Sequence, residues 1–203
     1  MTVRLRRIDS SRSARGYTAI ELLIVVGLIA VIAAISVPLM AQAMADFRIS
    51  GDARGLSASL TLAKMRAAAA ASQSRLYFDL EQKAYRVETL SRGASPAWVQ
   101  DGPSSRLSSG VTPGFGLLDA PPPDTQPVIH QATACRTTGG APIGNTACIV
   151  FNSRGTPVDV FGAPTSQEAV YLTDGTFVYA ATVLTSGMVQ MWRSSAEEVT
   201  WSR

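Results

Sequence analysis

The chain has one histidine, His130, and two cysteines, Cys135 and Cys148, among its 203 residues. That is too few ligands for a tetrahedral Cys/His zinc site, so zinc chemistry of that kind is excluded. Catalytic signatures are missing as well. There is no Gly-x-Ser-x-Gly elbow, no Gly-x-x-x-x-Gly-Lys phosphate loop and no His-Glu-x-x-His pair. His130 sits in the run Val128-Ile129-His130-Gln131 with no evident partner, which reads as a strand residue rather than a general base. Gly114-Phe115-Gly116 and Gly139-Gly140 read as loop glycines, not nucleotide cradles. The expectation is a protein that is not an enzyme and that needs neither cofactor nor metal. Charge is also scarce, at 16% against 46% hydrophobic residues, which excludes a disordered tail. A basic surplus beyond the N-terminus is missing too. Arg4, Arg6, Arg7, Arg12 and Arg15 lie in the first sixteen residues with Asp9 as their one acid, and the rest of the chain has 13 basic and 14 acidic residues. Bulk charge therefore implies no cationic nucleic-acid surface.

What the chain does have is a long apolar run. Leu22 to Ala45 is 24 residues without a formal charge; as a helix it would reach roughly 36 Å, enough to span a bilayer. Arginines before the run and none within it predict a cytoplasmic N-terminus and an exported remainder. A cleaved secretory signal is the plainer alternative, with Ala34-Ile35-Ser36 as a small-x-small site. Against it, the run continues past Ser36 through Val37, Leu39, Met40 and Ala41, and Glu21 stands at its start.

The stretch Gly16-Tyr17-Thr18-Ala19-Ile20-Glu21-Leu22-Leu23-Ile24-Val25-Val26 resembles the class III signal of type IV prepilins and type II secretion pseudopilins. In those proteins a basic leader ends in Gly, an aromatic follows, and Glu comes four residues later. Tyr17 stands where Phe is commoner and Ala19 where Leu is commoner, and Pro38 falls where a helix-kinking proline is often found. The resemblance implies cleavage between Gly16 and Tyr17 by a prepilin peptidase, N-methylation of Tyr17, and insertion in the bacterial inner membrane with a periplasmic head. It also implies assembly with other pilin or pseudopilin subunits. Independently of any family, cleavage would make the Tyr17 nitrogen a cation one helical turn from Glu21. An unpaired carboxylate in lipid costs about 2.5 to 3.5 kcal/mol on insertion scales, so Glu21 would seek such a cation on a neighbouring subunit and set axial register. The plainer reading is an interfacial Glu reaching headgroups.

Beyond the membrane, Leu56, Leu60, Ala63 and Ala67 recur at helical spacing among Arg48, Asp52, Arg54, Lys64 and Arg66, and predict an amphipathic helix to about Ala71. Gly51 and Gly55 would weaken it by about 1 kcal/mol each and mark a melted turn or a break. From Arg75 the alternation of Leu76, Phe78 and Leu80, then of Tyr85, Val87 and Thr89, around Glu81-Gln82-Lys83 predicts a hairpin. Residues 91–127 hold seven of the eleven prolines, including Pro121-Pro122-Pro123, and read as a long loop, either a recognition element or a tolerated insertion. Further strands are predicted over Cys148–Asn152, Glu168–Thr173, Phe177–Thr185 and Met188–Arg193. The expected organisation is a leader over 1–16, a membrane and assembly helix over 17–45, its amphipathic continuation over 46–74, and a β-rich head over 75–203. The expected fold class is α+β, a long N-terminal helix on an antiparallel sheet.

Phe151-Asn152-Ser153-Arg154-Gly155-Thr156-Pro157 and Val183 with Gly187-Met188-Val189-Gln190-Met191 look like the C-terminal domain of the GspH/FimT pseudopilins. Some FimT-like minor pilins are DNA-uptake receptors whose last hairpin carries Gly-Arg-x-Arg. Here Met188 and Gln190 replace both arginines, and the head from residue 75 has nine basic and eleven acidic residues. An assembly subunit is favoured over a receptor, and nucleic acid is not an expected partner. Export places Cys135 and Cys148 in an oxidising compartment, so a structural disulfide is the default reading over a redox pair.

Overall fold

The computed structural model describes residues 16–196 and 200–203. The basic leader arginines lie outside the described residues. The chain divides into two compact units between Gln42 and Ala43. Helix α1 (Ala19–Ala69) contributes to both.

In the first unit, Ala19–Val37 has a mean hydropathy of 2.9 and none of its side chains is buried, and it is long and apolar enough to cross a membrane. Pro38 falls within α1, and its side chain lies outside the described residues.

In the second unit, Ile49, Ala53, Leu56, Leu60, Ala63 and Ala67 follow one another at spacings of four and three and are all buried. They form one apolar stripe, and burying a side chain the size of Ile49, Leu56 or Leu60 contributes about 1.5–3 kcal/mol. The helix runs unbroken through Gly51 and Gly55, contrary to the expectation of a break. Gly55 has a packing reason: a Cβ there would come within 2.7 Å of the Tyr85 hydroxyl. The helix ends when Ala71 turns left-handed at φ 45°, with Ser72 N donating to Ala67 O and Ala71 N to Ala68 O. That is the hydrogen-bond pattern of a Schellman cap, with alanine where glycine is usual.

Two antiparallel sheets complete the unit. The first has the order β3-β2-β1-β6-β7, with β4 also paired to β2. It comprises β1 (Ser74–Asp79), β2 (Ala84–Leu90), β3 (Trp98–Gln100), β4 (Ser105–Arg106), β6 (Thr146–Phe151) and β7 (Pro157–Val158). The second has the order β10-β9-β8-β5, from β5 (Thr112–Pro113), β8 (Ala169–Thr173), β9 (Phe177–Val183) and β10 (Val189–Ser195). Strand alternation gives each sheet one face toward α1: Leu76, Phe78, Tyr85, Val87, Ile149 and Phe151 from the first, and Val170, Leu172, Ala181 and Val183 from the second, join the helix stripe in one core. The architecture is thus α+β, a long helix packed on antiparallel sheets.

The Pro/Gly-rich stretch differs from the expected long loop. It carries β3, β4 and β5, sends Leu107 and Val111 into the main core, and from Phe115 on covers the far face of the second sheet. Leu118 and Ile129 pack there with Tyr171, Val178, Ala180 and Trp192, beside Phe115 and Trp201. Gln126 accepts the Tyr171 hydroxyl at 2.7 Å and donates to Gln167 O at 2.6 Å, and Trp201 Nε1 donates to Ala120 O at 3.0 Å. His130 also differs from expectation. It lies outside any strand, its Nδ1 2.9 Å from Gln131 O, because Gln131 is drawn to the Tyr171 backbone instead of continuing a ladder.

Candidate functional site

Two places gather residues singled out in the sequence, and a third lies on the first sheet. The first is the start of α1. Thr18 caps the helix: its carbonyl accepts from Glu21 N at 3.1 Å and Leu22 N at 3.2 Å, and its Oγ1 accepts from Glu21 N at 3.3 Å. Thr-x-x-Glu is the spacing of a capping box, a signal that the sequence reading missed. Glu21 therefore sits in the first turn, at the positive end of the helix dipole. Gly16 and Tyr17 precede the helix in irregular, exposed chain, and Tyr17 is 84% exposed. This end can offer an accessible peptide bond, and a carboxylate one turn beyond it.

The second place is where the two C-terminal motifs meet. The turn after β6 is built by Asn152, whose Oδ1 accepts from Arg154 N and Thr156 N at 2.9 and 3.1 Å. The β9–β10 turn places Gly187 at φ 73°, and a Cβ there would collide with the Gly155 carbonyl oxygen. Lys64 of α1 reaches the same point and donates to Gly187 O at 3.0 Å and Ser186 O at 3.3 Å. One helix cation thus ties the β9–β10 turn to α1. Sequence spacing could not reveal this, because Lys64 is 123 residues from Gly187.

The third place was not read from the sequence at all. On the face of the first sheet turned away from α1, the register sets Arg75 opposite Glu88 and Val150, and Tyr77 opposite Arg86 and Cys148. Arg75, only 4% exposed, donates from Nε and Nη2 to Glu88 Oε2 at 2.7 and 2.6 Å, and from Nη1 to Arg136 O at 2.5 Å. Arg86 Nε takes the other oxygen of Glu88 at 2.7 Å. Burial holds the Arg75 guanidinium below its usual pKa, and the Glu88 hydrogen bond and charge act the other way. The Arg75 Cζ lies 4.0 Å from the Trp98 ring centre, and Arg86 the same distance from Tyr77.

Over this face folds the segment closed by the Cys135–Cys148 disulfide, whose Cα atoms are 4.9 Å apart. The disulfide packs on Tyr77, with Ile143 and Val150 beside it. Between that segment, the sheet face and the 158–162 turn lies a cavity of about 280 Å³, lined by Arg75, Trp98, Pro96, Arg136, Val150 and Asp159 among others.

Among solved structures, the chain is similar to the minor pseudopilin EpsH from the type 2 secretion system of Vibrio cholerae. The two share 12% identity at a TM-score of 0.43, over 74% of this chain and 99% of that one. No protein-family model matches the sequence, and no curated protein does. Among the described residues, no group of three or more His, Cys, Asp or Glu side chains stands close enough to hold a metal ion.

Proposed function

We propose that the protein is a minor pilin or pseudopilin subunit of the GspH/FimT kind. On this reading a prepilin peptidase cuts between Gly16 and Tyr17, and the new Tyr17 amine is methylated. The chain then stands in the bacterial inner membrane with its N-terminus cytoplasmic and its head periplasmic, and joins a type II secretion pseudopilus or type IV pilus through its N-terminal helix. Its head primes or caps the fibre. Residues 1–16 serve as leader, 17–45 as membrane and assembly helix with Pro38 as a kink, 46–74 as amphipathic continuation and 75–203 as head.

The observation that carries the reading is local. A fully unburied apolar helix begins one residue after Thr18, with Gly16-Tyr17 exposed before it and Glu21 as the one charge in its first turn. An apolar surface of that length needs lipid or other helices to cover it. A carboxylate in such surroundings needs a cation, and the amine released by cleavage would supply one on the neighbouring subunit.

The intact mass of the protein recovered from its host membrane tests the processing. A mature chain beginning at methylated Tyr17 is expected. A chain beginning at Val37, or retaining Met1, would overturn the reading. Replacing Gly16 should leave the leader attached, whereas Glu21→Ala should be cleaved normally yet fail to co-purify with neighbouring pilins. Normal co-purification of Glu21→Ala would remove Glu21 from the account.

A further inference from the structure

We propose that the cavity on the outer face of the first sheet is a recognition site for an acidic side chain next to an apolar one on a partner protein. The site stands independently of the helix reading, since every residue in it belongs to the second unit. Arg75, Arg86 and Glu88 form one bonded network, and Arg136 joins it through its carbonyl. Two guanidinium groups thus share one carboxylate, and Arg136 adds a third positive side chain to the cavity lining. Asp159, the acid lining the far wall, spends Oδ1 on Phe161 N and Ala163 N of its own turn at 2.8 and 2.9 Å. The positive excess stands on a head whose total from residue 75 is nine basic against eleven acidic residues, so it is local to this face.

Donor capacity agrees with the charge. A guanidinium carries five N–H groups. The bonds of Arg75 to Glu88 and to the Arg136 carbonyl use three of them, on a side chain that lines the cavity. Arg136 spends Nη1 on Gly140 O at 2.7 Å, and the rest of its exposed guanidinium borders the same space. A carboxylate entering there would meet charge-assisted donors from a group fixed by burial and stacking, which is the preorganised case. The remaining lining mixes polar Gln73, Thr133, Thr137 and Thr138 with apolar walls from Trp98, Pro96, Val150 and Val158 that an aliphatic or aromatic side chain can fill, and Val160 is 42% exposed. Buried apolar contact beside an Arg-bound carboxylate is the composition of an interface anchor. Nucleic acid fits less well, because a single small cavity neutralises too few phosphates to hold a duplex.

The test uses the full chain in detergent micelles. The probes are acetyl-Gly-Phe-Glu-Gly-amide and its Gln counterpart, each followed by calorimetric titration. The Glu peptide is expected to bind about tenfold or more tightly than the Gln peptide, as one charge-assisted contact implies. Arg136→Gln should abolish that preference. Val160→Trp, which narrows the mouth from an exposed position, should weaken both peptides. Arg154→Gln, a charge change outside the cavity, should leave both unchanged. Equal binding of the two peptides, no binding of either, or an Arg136→Gln chain that keeps the preference would overturn the proposal. A duplex oligonucleotide that competes for the site with a steep salt dependence would overturn it too, since the site would then be one for phosphates.

Discussion

A methyl group at Gly187 would have to occupy the place of the Gly155 carbonyl oxygen, and the backbone there is left-handed at φ 73°. Both facts oppose any side chain, one by collision and the other by strain. Gly187→Ala is therefore expected to destabilise the protein by about 2 kcal/mol or more. Urea unfolding of the two proteins checks it, and an unchanged midpoint would show that the turns part freely. Glu168 acts at the same scale by a different route. Glu168 is 7% exposed, and its carboxylate accepts Thr133 N and Oγ1 at 2.9 and 3.3 Å, which ties the chain just ahead of the disulfide-closed segment to the start of β8. Burial raises its pKa above the ordinary 4.5, while the two Thr133 bonds and the nearby His130 pull it back. A raised folded value means that the native state holds the proton more tightly than the unfolded chain does. The contribution is complete below the unfolded pKa and is lost as pH rises through the folded one. Glu168→Gln has no proton to lose, so the stability of the wild type relative to it should fall as pH rises from 4.5 toward neutrality. Unfolding midpoints for both proteins across that range would show the fall, and a constant difference would contradict the assignment.

At the scale of elements, the disulfide closes a segment whose two ends are 13 residues apart. On chain-entropy grounds a loop of that size is worth about 3 kcal/mol. Replacing Cys135 and Cys148 by serine should lower stability by that order and loosen the wall of the cavity. Chemical denaturation measures the first effect, and loss of the Glu-over-Gln peptide preference reports the second. Much of this architecture was legible in the chain because it is local. The Leu76-Phe78 and Tyr85-Val87 alternation sets one hairpin, Ser186-Gly187 marks another, and the Leu56-Leu60-Ala63-Ala67 spacing sets the buried helix face. The Pro/Gly-rich stretch was not legible. Its strands are two or three residues long, and its role as a cover depends on Gln126, Leu118 and Trp201 meeting Tyr171 from distant parts of the chain. Gly51 and Gly55 misled for a related reason, because propensity charges a helix for glycine while the Tyr85 hydroxyl requires the space at Gly55. The candidate site divides in the same way. Gly16, Tyr17 and Glu21 are neighbours in sequence. Arg75, Glu88, Trp98 and Arg136 come together only through the register of three strands and a folded-back segment.

For the molecule as a whole, the open choice is between an assembly subunit and a nucleic-acid receptor, and it turns on where positive charge is free. A receptor must release counterions from several phosphates, which takes a stripe of uncommitted Lys and Arg on one surface. Several basic groups of the second unit are instead engaged. Lys64 is bound to the Ser186 and Gly187 carbonyls, Arg66 pairs with Asp101 at 3.3 Å, and Arg75 and Arg86 share Glu88. Arg193 lies 4.0 Å from the Phe177 ring centre and Arg203 4.5 Å from that of Trp192. The β9–β10 turn offers Met188 and Gln190 after Gly187, and Lys64 holds that turn against the helix. The excess at the outer cavity suits one carboxylate, and it is too compact to follow a phosphate backbone. The full chain in detergent is therefore expected to show no binding to duplex DNA at micromolar concentration and physiological salt. Titration at two salt concentrations checks this by separating a true null from a weak electrostatic attraction. Micromolar or tighter binding that falls steeply with salt would move the protein to the receptor class. A null at both salts, together with co-purification of neighbouring pilins that depends on Glu21, is the combination that the assembly reading requires.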